Sequence, residues 1–295
     1  MAGQSLAVQS LARQWRFGLT LTISLCSVGA TALLPRSAMA NCVELAGNLT
    51  QGGLVWGKVS PGSRVSLNGV ALDVLADGTT FAGFGRDAPT TAELLVEEGG
   101  DQCRQALHIA RREYSVQRVT GVPQHTVTPP PEQLERIRRE QALVDAAKAR
   151  RLPRRDLLQG ALAGFQWPAP GPISGVYGSQ RYYNGAAGNP HYGVDMAVPT
   201  GTPVRAPAAG IVTLAEPDLF FSGGTIILDH GFRVSSAFLH MSKLLVAVGQ
   251  EVKTGDIIGE VGATGRATGA HLDWRMNWRD QRIDPQLLAP PMPKP

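Results

Sequence analysis

From Trp167 to the C-terminal prolines, glycine and proline turns interrupt the apolar runs so often that no amphipathic helix of useful length fits after residue 170. Pro199-Thr200-Gly201-Thr202-Pro203, Ala208-Ala209-Gly210 and Val248-Gly249-Gln250 each close a short apolar stretch. Short apolar runs set between turns read as strands. Residues 166–290 are therefore expected to form an antiparallel β domain with two packed sheets. No internal repeat stands out.

Residues 41–120 have a similar texture. Leu54 to Val59 and Arg64 to Leu67 are strand candidates, followed by the hairpin pair Asn68-Gly69, and Asp77-Gly78 turns into Thr79-Thr80-Phe81. Cys42 stands near the start of this region and Cys103 near its end. The expectation is a small β-sandwich stapled by one disulfide. Trp56 and Trp167 are read as packing residues. The chain as a whole is thus mainly β, with one exception. Pro123, Pro129, Pro130 and Pro131 make a stiff linker, and Glu132 to Arg151 then reads as a helix rich in arginine, with Leu134, Ile137, Ala142 and Leu143 as its apolar stripe. This linker and basic helix occupy 121–165. The helix is either a solvated element packed on a neighbour or a docking surface for a protein partner.

The N-terminal segment carries an export pattern. Arg13 and Arg16 precede the uncharged run Phe17 to Leu34, and Ala38-Met39-Ala40 supplies small residues at a cleavage point. Residues 1–40 are therefore expected to be a signal peptide, leaving a mature chain without a membrane span. Cys26 falls inside that segment, so Cys42 and Cys103 remain as an even pair suited to an oxidising compartment. The formal charge of +4 is mild and aromatic side chains are few, which argues against nucleic-acid binding.

Six histidines stand at 108, 125, 191, 230, 240 and 271. Four lie between 191 and 271, interleaved with carboxylates in His191-Tyr-Gly-Val-Asp195 and His271-Leu-Asp273. On extended backbone, residues i, i+2 and i+4 face the same way, so each group can turn its imidazole and carboxylate toward one point. Imidazole with carboxylate is a ligand set for a divalent metal. His108 and His125 lie outside the domain, and His230 sits in the turn Asp229-His230-Gly231. Arg205 and Arg275 flank these motifs and could meet a substrate carboxylate or simply form ion pairs, while Arg181 and Asn184, on the stretch leading to His191, could line a groove or be solvent-exposed loop residues. The glycines at 193, 201, 210, 262, 265 and 269 open onto no helix, so they are turn and close-packing positions and not a phosphate cradle.

Read in order, Val176-Tyr177-Gly178, His191-Tyr-Gly-Val-Asp195, Pro199 to Val204, Asp229-His-Gly231, Phe238-Leu-His240, Gly262-Ala-Thr-Gly265 and Thr268 to Asp273 resemble the lysostaphin-type zinc metallopeptidases, peptidase family M23. The resemblance covers about 165–290. It implies that His191 and Asp195 are zinc ligands, that His240 and His271 are unligated catalytic histidines, and that the last ligand position is held by Asp273 in place of the family's histidine. It further implies one zinc ion, peptidoglycan as the partner, and a periplasmic or cell-wall location. The implied activity is endopeptidase cleavage of peptidoglycan. The alternative, raised by Asp273, is a non-catalytic peptidoglycan-binding or hydrolase-activating protein with a degenerate metal site.

Overall fold

The computed structural model describes residues 41–119 and 129–292. The segment 1–40, with its export pattern and Cys26, lies outside the described residues, as do His125 and most of the proline linker. Among the described residues no helix is long and apolar enough to cross a membrane.

The first region builds two small antiparallel sheets. Strands β1 (Leu45–Gly47), β2 (Leu54–Lys58) and β5 (Thr79–Gly83) form one, while β3 (Arg64–Leu67), β4 (Val70–Ala71), β6 (Thr91–Glu98) and β7 (Asp101–His108) form the other. Asn68 and Gly69 both take positive φ between β3 and β4, the backbone a tight hairpin demands. Cys42 and Cys103 are joined in a disulfide. Trp56 packs half-buried against the core, as expected. Strand β8 (Val116–Val119) then leaves this region and runs parallel to β10 (Gln180–Tyr183), which pairs with β11 (Ala186–Ala187).

The C-terminal region is dominated by one large antiparallel sheet. Its strands are β9 (Ile173–Gly175), β12 (Gly193–Met196), β14 (Gly210–Leu219), β15 (Gly223–Asp229), β16 (Val234–Met241), β18 (Glu251–Val252), β20 (Leu272–Trp278) and β21 (Gln281–Ile283). They run in the order β18-β14-β15-β16-β20-β12-β9, with β21 beside the far end of β20. A second sheet contains β13 (Pro203–Arg205), β17 (Lys243–Leu244) and β19 (Ile257–Glu260). Period-two alternation divides β20 cleanly. Leu272, Trp274, Met276 and Trp278 enter the core, all buried, while Asp273, Arg275 and Asn277 face the other side. Trp167 and Trp274 meet edge to face at 5.6 Å, which locks the back of β20.

The basic helix forms as α1 (Leu134–Ala149), preceded by a turn of 3₁₀ helix at Pro131–Gln133. Its packing differs from the sequence expectation. Leu134 and Leu143 are exposed at 39% and 48%, and the contact is made by Val144 and Ala147 on Leu214, Leu219, Ile227, Ala237 and Leu239. The apolar stripe is too sparse to choose the buried face, so polar anchors choose it. Arg136 donates to the Asp218 carbonyl at 2.6 Å, and Glu140 accepts the Phe220 amide at 2.7 Å. A second helix, α2 (Arg155–Leu162), was not legible as such within the basic segment. It buries Leu157, Leu158 and Ala161, and Leu158 and Ala161 join the core behind the sheet.

That core is continuous from the N-terminal sheets to the large sheet. Phe81 of β5 makes edge contacts with Phe232 at 6.4 Å and Trp278 at 6.2 Å. Arg112 pairs with the buried Asp284 at 2.8 Å, and the Asp284 amide donates to the Gly52 carbonyl. The two regions are thus tied by apolar packing and by an ion pair.

Candidate metal centre

Register brings the three sequence-predicted ligands together. Asp195 of β12 lies directly opposite Asp273 of β20, and Leu239 of β16 lies on Asp273's other side. Directly opposed residues share a face. Both carboxylates therefore project from the face of Arg275 and Asn277. His191 precedes β12 by two residues, and its Nε2 comes to 3.1 Å from Asp195 Oδ1. One ligand atom each from His191, Asp195 and Asp273 lies within 4.8 Å of the others.

Two glycines make this possible. A Cβ on Gly175, which pairs with Asp195 across β9, would stand 2.2 Å from Asp195 Oδ2. One on Gly193 would stand 2.4 Å from Asp273 Oδ1 and 2.7 Å from Arg275 Cγ. Each glycine clears the volume that a carboxylate fills.

The histidine pair sits beside this cluster. His240, the penultimate residue of β16, has φ of 65°, a left-handed conformation that only strong local constraints hold for a non-glycine residue. Its amide donates to the Ser222 carbonyl, and its Nδ1 lies 2.8 Å from the Thr264 carbonyl. Thr264 is itself pinned, its hydroxyl donating to the Met241 carbonyl and accepting the Gly224 amide. His271 Nδ1 lies 2.9 Å from the Gly269 carbonyl. A carbonyl only accepts, so Nδ1 carries a proton in both rings and Nε2 is the ring atom that no carbonyl engages. The two rings lie 4.8 Å apart, and His271 Nε2 reaches to 4.0 Å from Asp195 Oδ1. Burial lowers the His240 pKa, with the Thr264 hydrogen bond opposing it, and keeps that imidazole neutral at pH 7.

The sequence alone left Arg275 undecided, and the structure decides it. Its guanidinium grips Asp273 with two nitrogens, Nε at 3.0 Å and Nη2 at 2.6 Å from Oδ2. Burial alone would push the Asp273 carboxyl up, but Arg275 and His191 hold it below the usual carboxylate range. Asp273 is 1% exposed and ionised.

A divalent cation fits these residues on three grounds. His191 Nε2 and Asp195 Oδ1 are buried and, though 3.1 Å apart, make no hydrogen bond to each other or to any other described residue, an arrangement that is costly unless a ligand completes it. Asp273 Oδ1, which meets only Arg275 Nε, retains a lone pair, whereas Oδ2 accepts from both Nε and Nη2. Two carboxylates against one guanidinium also leave a net negative charge at the cluster.

The other candidates fall elsewhere. His230 is fully buried, its Nδ1 2.8 Å from the Ala209 carbonyl and its Nε2 2.8 Å from Ser236 Oγ, so it is a core residue. His108 closes β7 in the N-terminal sheet, and Arg205 donates to the Gly255 carbonyl. Asn184 sits exposed in the turn between β10 and β11, and the side chain of Arg181 lies outside the described residues. Thr264, Gly175 and the interlock of Arg275 with Asp273 were not foreseen. Only Gly262-Ala-Thr-Gly265 was visible in the sequence as a motif that could have pointed to Thr264.

The β-sheet face thus carries a His-Asp-Asp cluster beside two imidazoles, a set of side chains that could hold a divalent cation. Comparison with known proteins gives the family. The profile of Peptidase family M23 matches residues 189–285. A crystal structure from Pseudomonas aeruginosa assigned to peptidase M23 is 32% identical, covers 82% of this chain and 95% of its own, and superposes with a TM-score of 0.61. The chain belongs to peptidase family M23. Among curated relatives, Peptidoglycan DD-endopeptidase ShyA of Vibrio cholerae is 37% identical over 103 residues, 35% of this chain and 24% of its own. DD-carboxypeptidase/endopeptidase Mpg of Neisseria meningitidis is 38% identical over 104 residues, again 35% and 24%. The match to these two relatives spans about a quarter of their length.

Proposed function

We propose that this chain is an exported, zinc-dependent endopeptidase that hydrolyses peptide bonds in bacterial peptidoglycan, acting in the periplasm or at the cell wall. The observation that carries the reading is the buried pair His191 Nε2 and Asp195 Oδ1, which make no hydrogen bond among the described residues, with Asp273 close by and the two imidazoles of His240 and His271 beside them. Zinc bound by His191, Asp195 and Asp273 would supply a Lewis acid and an acidified water. One of the Nε2 atoms of His240 and His271 would accept a proton from that water, and the other, once protonated, would donate to the peptide. Their Nδ1 anchors to Thr264 and Gly269 fix ring orientation and tautomer. Peptidoglycan as substrate is supported by the names of the matched relatives. Export is supported by the apolar run with its Ala38-Met39-Ala40 triplet, and by the Cys42–Cys103 disulfide.

One observation favours a second reading. Arg275 places a positive charge directly on one of the three ligands, which weakens the site for a cation. On that reading the protein binds wall without cutting it. Metal analysis of the purified protein, paired with peptidoglycan digestion by wild type and His191→Ala, separates the two. Bound zinc and soluble fragments, both lost in the variant, support the peptidase. A metal-free protein that pellets with cell walls and releases nothing overturns it.

A further inference from the structure

Beyond Asp273, the same sheet face collects more donors than the described residues supply acceptors for. Asn277 follows Arg275 by two residues, and Arg282 of β21 lies opposite Asn277. All three side chains therefore share the face of the metal cluster. Arg282 donates to Asn277 Oδ1 at 2.7 Å. A guanidinium has only donors, so this bond fixes the amide orientation and turns Nδ2 away from Arg282. Asn277 is 2% exposed, and its Nδ2 finds no partner among the described residues. A buried amide N–H₂ left unpaired is costly unless a ligand accepts from it.

Helix α1 adds a third cation. Ala147 packs on Ala237 and Leu239 of this face, and Ala237 lies opposite Arg275. The next residue, Lys148, is half-buried and makes no ion pair among the described residues. Its charged neighbours are Arg282 and Arg275 on the sheet and Asp145 on its own helix. Asp145, exposed, accepts from Gln141 one turn back. Arg282, also half-buried, has no carboxylate partner among the described residues and lies 5.7 Å from the Tyr192 ring. Three cations and an amide donor thus gather on a face where one carboxylate, Asp273, is already held by Arg275 and the other, Asp195, belongs to the metal cluster.

We infer that Lys148, Arg282 and Asn277 form a subsite for a carboxylate of the substrate peptide, one carried close along the chain from the bond to be cut. This inference rests on the peptidase reading for its substrate but not for its geometry. Arg275 links the two places, because the guanidinium that orients Asp273 also borders the subsite. An anion seated there accepts from Asn277 Nδ2 and relieves the repulsion among Lys148, Arg275 and Arg282. An uncharged carboxamide of the same shape can still accept from Asn277 Nδ2 through its oxygen, but it relieves none of that repulsion. The site therefore selects peptides by a free carboxylate near the scissile bond and makes Lys148 and Arg282 specificity-determining residues.

The test uses paired synthetic wall peptides, identical except that one bears the carboxylate and the other its amide. Hydrolysis is followed for wild type, Lys148→Met and Arg282→Gln, and binding to the chelator-treated protein is measured by calorimetry. The subsite predicts that wild type prefers the carboxylate peptide about tenfold or more, as charge-assisted hydrogen bonds require. Each variant, still folded by circular dichroism, should lose that preference. Equal hydrolysis of both peptides by wild type overturns the subsite while the peptidase reading stands. If nothing is hydrolysed but the metal-free protein binds the carboxylate peptide selectively, and the variants do not, the subsite stands and the peptidase reading falls. Binding without preference overturns the subsite whatever the activity.

Discussion

Asp273 is the residue on which the site turns, and Arg275 determines how it behaves. A carboxylate 1% exposed needs a cation, and here the guanidinium supplies one in the absence of metal. Arg275→Met should therefore destabilise the metal-free protein by about 2–4 kcal/mol, somewhat under the range for a fully buried pair because Arg275 is partly exposed. Added zinc should restore part of the loss in thermal melting, since a bound cation takes over the charge. A melting temperature in the variant that zinc leaves unmoved would show that Asp273 is no ligand. His230 makes a separate prediction at the same scale. Burial lowers its pKa to about 4 from 6.5, so the folded state keeps it neutral while the unfolded chain takes up a proton. Stability should thus be present above pH 6.5 and fall as pH drops toward about 4, by on the order of 3 kcal/mol. Denaturant melts of wild type and His230→Gln across that window measure it, and the glutamine variant should show the shallower acid loss.

Helix α1 is held by few contacts and carries a cost. Burial, with Arg282 and Arg275 beyond it, draws the Lys148 pKa down to about 7, while Asp145 pulls weakly the other way. Between about pH 7 and 10.5 the unfolded chain binds this proton and the folded one does not. Stability rises with pH across that window, and the penalty is fully present below pH 7. Lys148→Met should accordingly raise Tm by about 2–6 °C at pH 6 and by less at pH 9. A fall in Tm at pH 6 would show that Lys148 is paired, contrary to the anion subsite. Stability gained by removing a functional cation is a common trade. The helix also covers one part of the face on which β12 and β20 present the metal cluster, and this tertiary choice was not readable from its sequence. Its stripe suggested Leu134 and Leu143, whereas Val144 and Ala147 meet the sheet, because Arg136 and Glu140 dock on the β14–β15 turn.

Across the whole described chain, the N-terminal sheets and the large sheet share one core. Phe81 belongs to the first and packs on Phe232 and Trp278 of the second. Phe81→Ala should cost about 3–5 kcal/mol, as a buried aromatic truncation does. It should also loosen both regions together, so that unfolding followed by the tryptophans of the large sheet shifts along with that followed by Trp56. Separate transitions, with only the Trp56 signal displaced, would mean that the regions fold independently.

Much of this was written in residue order. Glycine and proline spacing determined the β character, Asn68-Gly69 the hairpin, Cys42 and Cys103 the disulfide, and His191, Asp195, His240, His271 and Asp273 the cluster, because turn chemistry and period-two alternation are local properties. What the tertiary structure decided depends on register between strands far apart in sequence. Pairing β12 against β20 set Asp195 opposite Asp273, and alternation along β20 and β21 put Arg275, Asn277 and Arg282 on that face. Whether Arg275 binds a substrate or its own neighbour, and whether a lysine on a distant helix joins it, follows only from which chain segments lie against each other.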